Sequence, residues 1–144
     1  ASRSAIPHMK EQGWGRIVNV STSLITMQRA GYGPYGSSKW AVEGETVIMA
    51  QDAEDTGVTV NILIPGGATD TAMIPGEVGT PGRSGADGNL FKPEIMVPPI
   101  LYLASDLSNG KNGDRYVSKL WDGDLDPEAA AQKARFKAFR DREF

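Results

Sequence analysis

The sequence predicts an α/β domain built on a parallel sheet, and three observations carry that prediction. Two short β-branched stretches, Arg16-Ile17-Val18-Asn19-Val20-Ser21 and Val58-Thr59-Val60-Asn61-Ile62-Leu63-Ile64, flank a long helical segment. The second stretch is almost uninterrupted in its apolar character, as a strand covered on both faces should be. Strand, helix, strand is also the unit of a parallel sheet, because a parallel return needs a crossover connection.

The elements follow in order. Ser2 to Gln12 carries Ala5, Ile6 and Met9 at helical spacing, and Gly13-Trp14-Gly15 breaks the pattern as the end of a helix would. The first strand spans Arg16–Ser21, and an irregular Gly- and Thr-bearing loop is expected from there to Pro34. A helix should run from Tyr35 to Asp55, with Thr56-Gly57 marking its end. The second strand stops at Pro65-Gly66-Gly67. Between Thr69 and Asn89, five glycines and two prolines leave little room for regular structure, so residues 69–92 are expected to form a mobile, substrate-covering lid. Pro93 to Ala104 reads as a helix started or kinked by Pro98-Pro99, and Asp114 to Leu120 as the last strand. Asp126-Pro127-Glu128 has the cap and first-turn proline of a final helix with an alanine-rich body, giving a helical extension over 124–144.

Composition narrows the function. The 144 residues, 40% of them hydrophobic, suffice for one globular domain or a large part of a bigger one. With a net charge of −3 and its Lys and Arg residues scattered, the chain offers no field for a phosphate backbone, so nucleic acid is not an expected partner. It has no cysteine and one histidine, which excludes disulfide frameworks, thiolate zinc sites and histidine metal clusters. No apolar run approaches the roughly 20 residues of a membrane span, and Ala1-Ser2-Arg3-Ser4 lacks a signal-peptide core. A soluble protein of a reducing compartment, the cytoplasm, is expected.

The chemistry-bearing residues cluster early. Tyr35 and Lys39 stand four apart, one helical turn, after the hydroxyl run Ser21-Thr22-Ser23. Model phenols ionise near pH 10, so a tyrosine exchanging protons near neutrality needs help, and a neighbouring ammonium supplies it. With a second hydroxyl to steer a carbonyl, this is equipment for moving protons beside a hydride transfer.

The motifs also come in a telling order. Gly15-Arg16-Ile17-Val18-Asn19-Val20-Ser21, Tyr35-Gly36-Ser37-Ser38-Lys39, Gly57-Val58-Thr59-Val60-Asn61 and Pro65-Gly66 together resemble the second half of a short-chain dehydrogenase/reductase. Leu103-Ala104-Ser105-Asp106 followed by Gly113 resembles the stretch before that family's last strand, and the likeness runs from Ala1 to Gly123. It implies a Rossmann-type doubly wound parallel sheet of which only the C-terminal half is present, with residues 1–144 forming the C-terminal part of a single catalytic domain.

The resemblance also implies roles. Tyr35 matches the family's catalytic acid/base, and Lys39 the residue that favours the phenolate and bonds the nicotinamide ribose of NAD or NADP. The carbonyl-orienting hydroxyl commonly lies thirteen residues before the tyrosine. That position is Thr22, a threonine where serine is usual, with Ser23 as the alternative; Ser21 is expected to satisfy strand-end groups instead. Pro65 and Gly66 would pass the nicotinamide, and Thr69 and Thr71 are both candidates for the threonine that touches the cofactor. Arg29 and Tyr32 could line a substrate pocket. Trp40, Val42, Val47, Ile48 and Met49 are core residues, or face a second copy in a homo-oligomer.

One family feature is missing. The sequence contains no glycine-rich strand-to-helix turn for the dinucleotide pyrophosphate. A missing N-terminal half or a complementary chain is therefore an expected partner, together with a small alcohol or carbonyl substrate. The expected activity is NAD(P)-dependent interconversion of alcohol and carbonyl. The alternatives are a non-catalytic scaffold of the same fold and a related isomerase or dehydratase.

Overall fold

The computed structural model describes residues 1–85 and 88–138. Helix α1, Ser2–Gln12, ends at Gly13 in the left-handed conformation (φ 68°), whose N–H donates to the Lys10 carbonyl. Strand β1, Gly15–Val20, follows, and after a short turn comes α2, Leu24–Met27. Helix α3, Gly33–Asp52, is the long crossover that returns the chain to β2, Val58–Ile64. The Lys10 ammonium donates to the Asp52 carbonyl at 2.6 Å and so ties together the C-terminal ends of α1 and α3.

After residues 69–92 a 3-10 turn, Pro93–Met96, runs into α4, Val97–Leu103, with Pro98 in its first turn as the sequence suggests. Strand β3 is Asp114–Val117, α5 is Pro127–Ala134 and β4 is Arg135–Lys137. The sheet order is β1-β2-β3-β4. Its first two pairings are parallel, in register Gly15↔Val58 and Ile62↔Arg115, and β4 is antiparallel to β3.

The sheet is covered on both faces, so every residue of β2 is buried. On one face Val58 and Val60 pack with Ala50 of α3, with Ala53 just beyond its end and with Met9 of α1. On the other, Leu63 packs with Tyr102 and Leu103 of α4, Tyr116 of β3 and Ala131 of α5. Alternate side chains of β2 thus serve opposite layers, the signature of a doubly wound sheet. Asn61 interrupts the apolar run for a structural reason: its carboxamide donates to the Lys111 carbonyl at 2.7 Å and accepts the Asp114 N–H at 3.0 Å, guiding the chain into β3.

β1 lies at the edge of the sheet. The N–H groups of Gly15 and Ser21 donate to Gly57 and Leu63 carbonyls, so odd-numbered residues face β2 and the peptide groups of Arg16, Val18 and Val20 face away. Among the described residues no strand pairs with that outer edge, and Val20 is 48% exposed.

Three expectations need correction. The loop from Ser21 to Pro34 contains α2, which forms because Ser23 caps it, accepting the Thr26 N–H at 3.2 Å. The last parallel strand stops at Val117 rather than Leu120; Ser118–Leu120 is a 3-10 turn in which the Lys119 N–H turns back to the Pro65 carbonyl at 3.0 Å. The C-terminal helix ends at Ala134, because Arg135–Lys137 completes the open ladder of β3; residues 139–144 lie outside the described residues. Among its described residues the stretch from 69 to 92 has no helix, as its glycines and prolines lead one to expect. An isolated bridge between Thr69 and Phe91 closes its neck. Within it the Arg83 guanidinium reaches the Asp70 carboxylate and the carbonyls of Thr71, Ile74 and Pro75. Ala86 and Asp87 of this stretch lie outside the described residues.

Candidate active site

The C-terminal ends of β1 and β2 and the first turns of α3 converge at one edge of the sheet, where open α/β sheets take their ligands. The local sequence explains the convergence. Pro34 in the first turn of α3 fixes the helix start, and Gly36 lets that turn lie against α2, since a Cβ there would sit 2.3 Å from the Met27 carbonyl oxygen.

Tyr35 is half-buried in the first turn of α3, and Lys39, one turn on, points to the same side. The ammonium lies 5.8 Å from the centroid of the Tyr35 ring and donates to the carbonyl of Val20 at 3.0 Å, at the end of β1. The cation thus bridges the phenol and the strand end, where an outward-facing carbonyl would otherwise lack a partner. Tyr32 stands edge-on to Tyr35, ring centroids 6.4 Å apart, and the Arg29 guanidinium lies over the Tyr32 ring at 5.4 Å. The structure therefore brings Arg29 and Tyr32 to the phenol's flank.

The three hydroxyls after β1 have three different fates. Ser21 is buried and donates to Glu43 Oε1 at 2.6 Å, a side-chain partner rather than the strand-end backbone expected of it. Ser23 is committed to α2: besides accepting the Thr26 N–H, it shares a hydrogen bond with Thr26 Oγ1 at 2.8 Å. The Thr22 side chain enters no such bond among the described residues, while its carbonyl accepts from Arg115.

Around β2 the picture is mixed. The Pro65 carbonyl is taken by the Lys119 N–H. Gly66 has φ 91° and lies beneath the Lys119 stem, where a Cβ would come within 2.7 Å, so only glycine fits this turn. Thr71 Oγ1 accepts the Met73 N–H at 3.4 Å and braces the lid neck. Thr69 Oγ1 is buried without a hydrogen-bond partner, an expensive state for a hydroxyl in a folded chain.

Sequence reasoning passed over Glu43. It is fully buried, with Oε1 accepting from Ser21 and ion-paired with Arg115 at 3.1 Å, and it lies on the face of α3 that carries Tyr35 and Lys39. The one signal in the sequence was the spacing 35, 39, 43, a straight helical stripe. An open apolar groove of about 440 Å³ lies elsewhere, lined by Leu101, Tyr102, Trp121 and Leu125, and shares no residue with the Tyr35 set. Among the described residues no helix is long and apolar enough to cross a membrane.

Comparison with known proteins gives consistent results. The family model described as short chain dehydrogenase matches residues 1–78. A short-chain type dehydrogenase/reductase of Picea abies is 37% identical over 109 residues, covering 73% of this chain and 40% of that protein. An NADPH-dependent aldehyde reductase 2, chloroplastic, of Arabidopsis thaliana is 33% identical over 116 residues, covering 78% and 43%. Among solved structures, one described as a putative NAD(P) dependent gluconate 5-dehydrogenase of Beutenbergia cavernae, with bound NADP at low occupancy, superposes with a TM-score of 0.62 at 30% identity. That match covers 81% of this chain and 48% of the other. The chain therefore spans about two fifths of the length of these curated relatives. On the family-model match and these likenesses, the chain belongs to the short-chain dehydrogenase/reductase family.

Proposed function

We propose that this chain supplies the C-terminal half of the catalytic domain of an NAD(P)-dependent oxidoreductase that interconverts an alcohol and a carbonyl. The observation that carries the reading is the Lys39 ammonium held between the Tyr35 ring and the end of β1. A phenol at the ligand edge of a parallel sheet can pass its proton to a bound oxygen, and a cation fixed beside it can stabilise charge that develops there. Thr22, the hydroxyl left uncommitted after β1, is the group that donates to the substrate carbonyl; Ser23 is the less favoured candidate because it caps α2.

The residues present fit one end of a dinucleotide. Lys39 and Tyr35 would hold the nicotinamide ribose, and the orphaned Thr69 hydroxyl beside Pro65-Gly66 would find a partner in the carboxamide. Thr71 and the Pro65 carbonyl, already engaged, are weaker candidates. When bound, the dinucleotide gives or takes the hydride. In reduction Tyr35 protonates the oxygen while Lys39 and Thr22 stabilise its developing charge; oxidation reverses the proton's path. The pyrophosphate would be held by a preceding half, whose strand would pair with the outer edge of β1, and residues 69–92 would cover the substrate. Association of copies through the outer face of α3 is part of this proposal.

Tyr35→Phe in the full-length protein tests the assignment. Turnover of NADPH with butanal or cyclohexanone should fall to background while NADPH binding, read by nicotinamide fluorescence, stays within a few-fold. Retained turnover refutes the role.

A further inference from the structure

We infer that the buried Ser21–Glu43–Arg115 triad is a positioning clamp that sets the distance between the acid/base on α3 and the carbonyl-orienting hydroxyl after β1, an inference that rests on the reactive roles proposed above for Tyr35 and Thr22. The reacting groups sit on separate elements, so something must fix one against the other. Close approach of Gly36 to α2 and the Lys39–Val20 bond hold the top of α3. Neither touches the backbone of Thr22.

The triad does. Glu43 lies two turns below Tyr35 and one below Lys39 on the same face of α3. Its Oε1 accepts from Ser21 Oγ at 2.6 Å and forms an ion pair with the Arg115 guanidinium at 3.1 Å. The same Arg115 guanidinium, projecting from β3, donates to the Thr22 carbonyl. One carboxylate oxygen and one guanidinium thereby connect three elements: the helix that carries the phenol, the loop that carries the hydroxyl, and the strand behind both. Thr22 is gripped on both sides, through the side chain of the residue before it and through its own carbonyl.

Cohesion alone does not account for this arrangement. A buried ion pair gives little net stability, because desolvation cancels most of its Coulomb attraction, and an apolar trio of similar volume would serve as well. This pair is also imperfectly satisfied: Glu43 Oε2 and Arg115 Nε are buried without partners. What the charged trio supplies, and a greasy one would not, is direction. Hydrogen bonds with fixed angles pin the loop against the helix to a fraction of an ångström. That precision matters for chemistry, where a misplacement of about 1 Å costs about a hundredfold in rate.

The test uses the full-length protein with NADPH and butanal. The double variant Glu43→Gln/Arg115→Met removes both charges together, so that neither is left stranded. Its kcat should fall about 10- to 100-fold, while the NADPH dissociation constant stays within twofold. The deuterium isotope effect on kcat should rise, since hydride transfer would then limit turnover. Arg115→Lys, which keeps one donor and the charge, should recover part of the loss. Wild-type kcat and isotope effect in the double variant overturn the clamp while leaving Tyr35 and Thr22 in their roles, provided Tyr35→Phe is inactive. If Tyr35→Phe is active, both proposals fall. Should the double variant not fold, Ser21→Ala carries the test, because it deletes one hydrogen bond and no charge; unchanged kcat and isotope effect there overturn the clamp.

Discussion

Thr22 and Ser23 are adjacent hydroxyls that the structure treats differently, and replacing each by alanine separates their duties. Ser23 Oγ accepts the Thr26 N–H at 3.2 Å and pairs with Thr26 Oγ1 at 2.8 Å, so its loss falls on the four-residue helix α2. Deleting an N-cap costs about 0.5–2 kcal/mol of stability, and kcat should change only a few-fold. Thr22 has no such engagement, so Thr22→Ala should leave stability nearly unchanged. If its hydroxyl donates to the oxygen that gains charge in the transition state, removing it costs about 2.7–4 kcal/mol, or ~100- to 1,000-fold in kcat. Thr22→Ser keeps the donor and should restore most of the rate. The assay is the decay of nicotinamide absorbance at saturating NADPH and butanal in the full-length protein, paired with urea midpoints for each variant. An inactive but stable Ser23→Ala, or a fully active Thr22→Ala, would refute the division.

Two further predictions concern stability. Gly57→Ala should destabilise by about 2–5 kcal/mol, combining a left-handed conformation (φ 77°) with a Cβ that would sit 1.9 Å from the Gly13 carbonyl oxygen. Gly13→Ala, left-handed too (φ 68°) but in open space, should cost only about 1–2 kcal/mol, and equal denaturation midpoints would refute the close approach. The Lys111 ammonium and then the Tyr102 hydroxyl hold the Glu128 carboxyl below its ordinary range. The stabilisation is therefore present above the usual glutamate pKa and lost as pH falls through the lowered value. Glu128→Gln should lower the thermal midpoint at neutral pH and match wild type in strong acid, and a gap that persists in acid would refute the linkage.

The parts of this fold legible in the sequence are those where one local signal dominates. β-branched runs ending in Pro65-Gly66-Gly67, the break at Gly13 and the long helix between the two strands announce themselves, and β2 spans the residues its hydropathy predicts. The Tyr35–Lys39 spacing likewise announces a shared helix face. What escaped were features set by distant partners. Glu43 has nothing in its neighbourhood to mark it as buried, because its partner Arg115 arrives from a strand far along the chain. β4 follows alanines that favour helix, and it becomes a strand only because β3 offers an unfilled ladder. Within 69–92 one arginine, Arg83, gathers the turns around Asp70, a contact no composition could disclose.

The outward row of peptide groups on β1 bears on how this polypeptide can be produced. Water satisfies those groups only until another extended chain offers itself, and a strand bearing unpaired donors and acceptors beside the half-exposed Val20 is a template for any such chain. Expressed without a covering segment, the stretch is prone to stack copy upon copy and leave solution as inclusion bodies. Fused to, or co-expressed with, a segment that completes the ladder, the same residues lose their adhesive margin.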